Sequence, residues 1–431
     1  MEESSTRSRR LEEYFRDTPM LPRMEEGRGR FLVSRRLIRK GEVLLVAQPY
    51  AIACKQVQTT CAYCLRHCDN LDGSAAPMRA NCAGCKAVWY CNATEKAMDW
   101  EEGHHLECQW FKRIREYTHG NKSAHVGNKQ AQALSSFEEA ELRLLVKCLR
   151  QRFFETMETK QKHHEQRCFS RCHSTLRSDG DSQDGDHSSV LDLRFADLQM
   201  LWSNSDSISK EDAERWTTIL QHVFGTQAST NQQRMSKARR RNNHYGGSSV
   251  LSLEHHDLLE LLSKDFCNGF ALRNREGGAY AFGSYPSASY FNHSCNANVC
   301  RIQGHIYDKS DEILPYAYAC LRFVALRDIQ PEEEITISYL NPTLPLEARR
   351  SYLSTLYFFK CDCELCRYQQ HQQLGGKEKE EISNKSEFFY ASMACGQCHG
   401  RGVLYPKPLQ QPSSSIKQEW CYTCNICGRE T

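Results

Sequence analysis

Short runs of β-forming residues separated by glycine-marked turns occupy two parts of the chain. The first runs from Gly27 to Pro49, GRGRFLVSRRLIRKGEVLLVAQP, and the second extends from about 268 to 340. Apolar and β-branched residues in short runs bounded by turn residues predict small antiparallel strands. We therefore expect strand-rich segments near the start and in the later part of the chain.

Between these segments, apolar residues recur at helical spacing. The pattern predicts one helix over 136–158, where Ser136 and Glu139 match a capping box, and a second over 210–224, ended by Gly225. The predicted apolar faces consist of Leu142, Leu145, Leu149 and Phe153 in the first helix, and Ala213, Trp216, Ile219, Leu220 and Val223 in the second. Strands on both sides of a helical middle indicate an α+β fold.

Two polar inserts interrupt the helical region, at 174–189 and 227–249. Both lack the apolar residues needed to pack, so they are predicted to be disordered loops. The KARRR run at 237–241 fits either a nuclear signal or a solvated charged stretch, and the second interpretation is the commoner one.

Composition excludes several classes of protein. The 431 residues carry a net charge of only +3, which does not predict strong nucleic-acid binding. The charged N-terminus, MEESSTRSRR, is unlike a secretory signal, and no apolar run approaches the roughly 18 residues of a membrane span. We expect a soluble protein of the cytoplasm and nucleus with no membrane partner.

The 23 cysteines add the strongest chemical signal. In a reducing compartment, regularly spaced cysteines hold metal more often than they form disulfides. The block at 61–108 offers seven zinc ligands, which nearly complete two tetrahedral sites: Cys61, Cys64, Cys82, Cys85, Cys91, His104 and Cys108.

The order of these ligands resembles the MYND zinc finger, whose ligands interleave between two ions. The resemblance implies that Cys61, Cys64 and Cys91 share one ion, while Cys82, Cys85, His104 and Cys108 hold the other. It also selects His104 over His105. Where the family has its last cysteine this chain has Glu95, so the first site is completed by Glu95, by Cys68 or by water.

Three further stretches resemble a SET domain, the fold of protein-lysine methyltransferases. They are YFNHSCNANV at 290–299, PEEEITISYLNPTL at 331–344 and YFFKCDCELC at 357–366. A MYND finger inserted after the first SET strands is similar to the SET and MYND domain (SMYD) family, over roughly residues 20–366. The family usually has Gly-Glu-Glu where this chain has Glu332-Glu333-Glu334, so Glu332 is expected to be strained if its φ is positive.

The resemblance assigns site residues. Asn292 and His293 would contact S-adenosylmethionine (SAM), and Tyr339 would be the catalytic tyrosine, with its hydroxyl near the methyl group. The other SAM-binding positions implied are Glu26, Gly27 and Arg28 of the EGRG loop, Phe359 against adenine, Tyr339 itself and, by a looser match, Asn204. Phe270 and Tyr357 would line the lysine channel. A lysine pKa of about 10.4 must fall before attack, which an apolar aromatic channel favours.

Two more cysteine clusters follow. The resemblance implies that Cys295 joins Cys361, Cys363 and Cys366 in a third zinc site. Near the C-terminus, Cys395, Cys398, Cys424 and Cys427 have the spacing of a zinc ribbon and predict a fourth site, with Cys421 as a spare. A linker is predicted at 375–386, and we expect no long helical lid after it.

Together these patterns predict a mostly-β SET domain with an inserted finger, a helical insert and a small ribbon-like C-terminal segment. The predicted divisions are the N-terminal part of SET (20–60), the MYND finger (61–108), the helical insert (109–265), the SET core (266–345), the post-SET zinc segment (346–370) and the Cys-rich end (387–431). The leading hypothesis is a SAM-dependent methyltransferase acting on a lysine of a histone or non-histone protein. The alternative is a MYND-centred co-regulator that recruits proline-rich peptides and has weak or no catalysis.

Overall fold

The computed structural model describes residues 14–26, 29–68, 78–120, 125–126, 129–130, 133–161, 193–225, 253–304, 318–341, 343–373, 389–399, 401–408 and 420–430. The two polar inserts and the KARRR run lie outside these residues, as do Gly27 and Arg28 of the predicted cofactor loop.

The described strands are β1 (Met20–Glu25), β2 (Gly29–Ser34), β3 (Val43–Ala47), β4 (Ala51–Cys54), β5 (Ala80–Asn81), β6 (Trp89–Tyr90), β7 (His125–Val126), β8 (Lys129–Gln130), β9 (Gly269–Arg273), β10 (Ala279–Ser284), β11 (Asn292–His293), β12 (Val299–Gly304), β13 (Cys320–Ala325), β14 (Glu334–Ile337), β15 (Leu404–Pro408) and β16 (Trp420–Cys424). The described α-helices are α1 (Ala93–Asp99), α2 (His105–Gly120), α3 (Ser136–Gln161), α4 (Phe195–Gln199), α5 (Lys210–Phe224), α6 (His255–Asn268), α7 (Leu346–Tyr357), α8 (Glu364–Gln373) and α9 (Phe389–Ser392). The predicted α+β class is confirmed.

Three small sheets join the two ends of the chain. Their strand orders are β1-β2-β14-β11, β4-β10-β9 and β12-β13-β3. In the second sheet Ala51 pairs with Ser284. The segment that contains the finger and the helices therefore begins after β4 and ends before the strands that pair with it. This arrangement brings the motifs around 292 and 339 against strands from the first 50 residues.

Helix α3 runs through the middle of the molecule and is buried on every side from Ala140 to Arg150. It contacts β4, β10 and α2, so it has no single apolar face of the kind that the repeat of leucines predicts. The observed capping pair of this helix lies one residue earlier than the predicted pair, Ser136 and Glu139. Glu138 N donates to Ser135 Oγ at 3.2 Å and Ser135 N donates to Glu138 Oε2 at 2.8 Å, while Glu139 forms an ion pair with Arg143.

The turn before β14 carries the expected strain. Glu332 has φ 63°, the left-handed region where glycine is favoured. Its amide donates to Ser34 O at 2.9 Å, and its exposed carboxylate lies 3.1 Å from Arg23 Nη2. The contact with β2 therefore holds a conformation that would otherwise be unfavourable.

No helix among the described residues is both long enough and apolar enough to cross a bilayer.

Candidate active site and zinc sites

Strands β11 and β14 run parallel and place the predicted cofactor pair beside the predicted catalytic tyrosine. His293 pairs with Ile337, and two residues later Tyr339 N donates to His293 Nδ1 at 3.0 Å. Because an amide must donate, Nδ1 is an acceptor, and the ring proton is on Nε2, which lies 3.2 Å from Cys295 Sγ. Burial lowers the pKa of His293 to about 4, so the ring is neutral.

Both ring nitrogens of His293 are therefore occupied by protein groups. The ring joins the tyrosine strand to the cysteine cluster, and its faces pack near the rings of Tyr339 (5.2 Å between centroids) and Phe359 (6.1 Å). A polar contact between His293 and a cofactor would thus use its main chain, while the ring holds its neighbours in place.

Tyr339 keeps its proton. Its hydroxyl donates to Phe291 O at 2.7 Å, and burial, together with the nearby Tyr357, raises the pKa of Tyr339 well above its usual value. The rings of Tyr339 and Tyr357 are 4.8 Å apart. Tyr339 can therefore donate or orient, but it is not a general base near neutral pH.

Aromatic side chains extend from this tyrosine pair to the predicted channel residue Phe270. The Phe270 ring lies 5.6 Å from Tyr285 and 6.4 Å from Phe323, and Phe323 stacks on Phe291 at 4.5 Å. Phe291 is the residue whose carbonyl accepts the Tyr339 hydroxyl bond. The structure thus connects Phe270 and Tyr339 through one aromatic cluster, which suits an apolar side chain that carries an amine.

A second group of side chains near the site is polar and includes several asparagines. Asn292 Nδ2 donates to Arg30 O at 2.8 Å, and Arg30 Nη2 donates to Asn268 Oδ1 at 3.3 Å. Asn268 Nδ2 also donates to Trp202 O at 2.8 Å. This bond holds the segment that carries Asn204 next to Asn268. The loosely matched Asn204 therefore lies close to the others.

Asn204 provides a test of whether these residues suit a polar cofactor. The residue is only 7% exposed, and its Oδ1 is buried with no hydrogen-bond partner among the described residues. An unsatisfied buried acceptor costs about 1–3 kcal/mol, so a ligand that donates a hydrogen bond there would remove that cost. The donor and acceptor set fits an adenosine-like group.

Sequence reasoning missed Arg30 and Asn268, although each adjoins a predicted position: Arg30 follows the EGRG loop, and Asn268 lies two residues before Phe270. Glu26 is exposed at the end of β1, and none of the contacts described above includes it. The structure brings together Asn204, Asn292, His293, Tyr339, Tyr357, Phe359 and Phe270; Glu26 is left at the surface.

Four clusters of potential metal ligands are found among the described residues, and in each cluster the ligand atoms lie within 4.8 Å of one another. The first cluster is Cys61, Cys64, Cys91 and Glu95; the second is Cys82, Cys85, His104 and Cys108; the third is Cys295, Cys361, Cys363 and Cys366; the fourth is Cys395, Cys398, Cys424 and Cys427.

Sulfur separations provide a geometric test for zinc. A tetrahedral ion with bonds of about 2.3 Å places its sulfur ligands about 3.8 Å apart. The observed distances are 3.8 Å for Cys64–Cys91, 3.7 Å for Cys82–Cys108, 3.6 Å for Cys295–Cys366 and 3.7 Å for Cys398–Cys424. These cysteines are free thiols rather than disulfides. The four donor sets therefore fit Zn²⁺.

Glu95 completes the first cluster. Its carboxylate Oε2 lies 2.8 Å from Cys61 Sγ, and its amide donates to Asn92 Oδ1 at 2.8 Å in the first turn of α1. Cys68 is outside the cluster. Of the alternatives left open by the sequence, the geometry supports Glu95.

The second cluster is tied to α3 by buried charges. His104 Nδ1 lies 3.5 Å from Glu107 Oε2, and Glu107 contacts Lys147 Nζ at 3.0 Å and Arg150 Nε at 3.1 Å. Burial alone would raise the pKa of Glu107, but Arg150 and Lys147 hold it at about 2. Glu107 can thus orient the histidine ligand, and His105 stays exposed, bonded to Trp100 O.

The third cluster has a cation beside it. Arg349 of α7 is buried and donates from Nε to Cys295 Sγ at 3.2 Å and from Nη2 to Cys366 Sγ at 3.8 Å. Four thiolates around one Zn²⁺ carry a net charge of −2, which a guanidinium partly offsets. His293 lies two residues before Cys295 and Phe359 two residues before Cys361, so this cluster fixes one edge of the candidate active site.

The fourth cluster belongs to a segment that is docked on the sheets. Tyr390 N donates to Asn296 Oδ1 at 3.1 Å, and Asn425 Nδ2 donates to Arg301 O at 2.9 Å. Lys40 Nζ lies 5.1 Å from the ring of Trp420 and 4.8 Å from that of Tyr422. The predicted ribbon therefore packs on the β12-β13-β3 sheet, directly behind the loop that carries His293 and Cys295.

Comparison with known proteins agrees with these features. A family model for the SET domain matches residues 29–340, so the chain belongs to the SET domain family. Two relatives are SET and MYND domain-containing proteins of Dictyostelium discoideum: one is 26% identical over 78% of this chain and 58% of its own length, the other 25% identical over 93% and 92%. Histone-lysine N-methyltransferase SMYD3 of Homo sapiens is 39% identical over 26% of this chain and 23% of its own length. The predicted resemblance to SET and MYND domain proteins is confirmed.

Proposed function

We propose that this chain is a SAM-dependent protein-lysine N-methyltransferase that modifies a histone or non-histone protein in the cytoplasm or nucleus. The observation that carries the proposal is the convergence of His293, Tyr339 and Tyr357 from separate motifs, next to the buried Asn204, whose Oδ1 has no hydrogen-bond partner among the described residues. Membership of the SET domain family and the names of the SMYD relatives support the same reaction class.

The cofactor, when bound, supplies an electrophilic methyl group. Asn204 and Asn292 would orient its polar atoms, Asn268 would hold Arg30 and the Trp202 main chain in place, and Phe359 would stack against its base. Since both ring nitrogens of His293 are occupied, its part is to hold Tyr339 and Cys295 in register. These roles rely on positioning and on a preorganised polar environment rather than on covalent chemistry.

On the substrate side, the aromatic cluster from Phe270 to Tyr357 would hold the aliphatic part of a lysine. A desolvated ammonium loses its proton more readily, and the neutral amine is the nucleophile. Tyr339 keeps its own proton, so its hydroxyl orients the reacting groups while solvent takes the proton from the lysine.

The test is transfer of labelled methyl groups from SAM to proteins of a whole-cell extract, with Tyr339→Phe as the matched variant. We expect label with the unmutated protein and loss of most of it with Tyr339→Phe, while zinc content and melting temperature stay close to those of the unmutated protein. Loss of zinc in the variant would instead give Tyr339 a role in folding.

A second candidate, a MYND-centred recruiting module for proline-rich peptides, is favoured by one feature, the glutamate in the first zinc cluster. Absence of label from folded, zinc-loaded protein over a panel of extracts, together with binding of a proline-rich peptide to that protein, would support this second function over the first.

A further inference from the structure

Arg301 lies on the channel side of β12. It pairs directly with Phe323 of β13, so the two side chains share one face of the sheet. Its guanidinium carbon is 5.5 Å from the centroid of the Phe270 ring, in the aromatic cluster described above. A charged group is thus held against the wall assigned to the lysine channel.

No carboxylate neutralises this arginine among the described residues. Burial lowers the pKa of Arg301, and the positive charge of Arg273 lowers it further. The other groups that influence Arg301 electrostatically are the side chains of Tyr285, Tyr357 and Cys300. An arginine stays charged in proteins despite such a shift. A half-buried cation without a counter-ion is unfavourable, so the position is suited to an external anion.

Gln303 holds the main chain of the second arginine, Arg273, against β12. Its Nε2 donates to Tyr280 Oη at 2.6 Å, and its Oε1 accepts a hydrogen bond from Arg273 N at 2.9 Å. Gln303 is two residues after Arg301, on the same face of β12. The bonds of Gln303 therefore tie β9 and β10 to β12. The guanidinium of Arg273 donates from Nη1 to Gly277 O at 2.8 Å and is near enough to Arg301 to lower its pKa.

We propose that Arg301, with Arg273 beside it, binds a carboxylate of the protein substrate and selects target lysines that have Asp or Glu close by. A planar guanidinium matches a carboxylate in bidentate geometry, and a second cation strengthens the attraction. This proposal rests on the proposed function, because that function assigns the neighbouring channel to lysine. Binding of an anion by Arg301 can nevertheless be measured without methyl transfer.

The test uses full-length, zinc-loaded protein and short lysine-centred peptides in which one flanking position at a time is Glu or Gln. Binding is followed by fluorescence anisotropy, and methyl transfer is measured in parallel. We expect Glu to improve binding on the order of ten- to a hundredfold over Gln at one or two positions, as for a charge-assisted pair. Each peptide is made with a free and an amidated C-terminus, which separates a side-chain carboxylate from a terminal one.

Arg301→Gln should abolish the Glu preference, and Arg301→Lys should keep only part of it because lysine lacks the fork. The matched control is Arg322→Gln, the same change of charge on β13, since Arg322 is exposed and pairs with Ile302 on the opposite face. A preference that is absent from the unmutated protein, survives Arg301→Gln, or disappears equally in Arg322→Gln would overturn the proposal. A preference that depends on Arg301 in a protein that transfers no methyl groups would overturn the proposed function alone.

Discussion

Two acidic side chains share the core between α3 and α6, and they give a testable dependence of stability on pH. Glu141 and Asp265 are both buried, and Glu141 Oε2 has no hydrogen-bond partner among the described residues. Burial raises the pKa of Asp265 from 3.8 to about 7, against the opposing effect of the nearby Ser284, and raises the pKa of Glu141 well above its usual range. Both groups are therefore protonated in the folded protein under mildly acidic conditions.

The direction in which stability changes with pH follows from the number of protons bound by each state. Between the unfolded pKa of Asp265 and its folded value, the folded state holds a proton that the unfolded state has released. Raising the pH through this window therefore lowers the free energy of unfolding. The full gap from 3.8 to about 7 corresponds to about 4 kcal/mol, and about 2 kcal/mol of it falls between pH 5.5 and pH 7.

The perturbation is Asp265→Asn, which keeps the shape of the protonated acid and cannot ionise. We expect its stability relative to the unmutated protein to rise by about 2 kcal/mol as the pH increases from 5.5 to 7. Urea midpoints at several pH values, at unchanged slope, measure this difference. Glu347→Gln, the same chemical change at an exposed position of α7, is the control. A relative stability of Asp265→Asn that is flat or falls with pH would refute the reasoning.

Three further outcomes follow from the zinc clusters and the strained turn. His104→Ala should release one zinc, counted by metal analysis; full retention would contradict its place in the second cluster. Glu95→Ala should weaken the first site while Glu95→Cys preserves it, as measured by competition with a chelator, and equal affinity in all three proteins would mean that Glu95 is not a ligand. Glu332→Gly should raise stability by about 1 kcal/mol because φ is positive there, seen as a higher melting temperature; a lower one would show that the ion pair with Arg23 matters more.

Local spacing was enough to predict that these cysteines bind zinc, because a C-x2-C turn determines where its own two thiolates point. The division of ligands among the first three clusters came from the family resemblance. It was also enough to predict the helices at 136–158 and 210–224, found as Ser136–Gln161 and Lys210–Phe224. The capping residue of the first helix was missed because Ser135 and Ser136 are both suitable, and only the approach of the preceding chain decides between them.

What spacing could not reveal are the contacts between residues far apart in the chain. Lys147 and Arg150 look like solvated positions of a helix, yet both lie in the core because Glu107, about 40 residues earlier, meets them there. The role of His293 is similar: its ring nitrogens are taken by Tyr339 and Cys295, which a motif match to a cofactor-binding pair does not show. Arg301 carries no local signal at all, since its position depends on the register of β12 against β13.

The pairing of β4 with β10 also has a consequence for the order in which the protein can fold. Residues 51–54 hydrogen-bond to residues 281–284, and β2 pairs with β14, which ends at Ile337. During synthesis β1 and β2 can pair with each other, but β3 and β4 must wait unpaired while more than half of the chain is made, with their edges open to other chains. The finger is different, because all its ligands lie within 61–108 and zinc can order it at once. Folding of the nascent chain should thus depend on zinc supply first and on protection of exposed strand edges afterwards, and a slow assembly step is built into the topology.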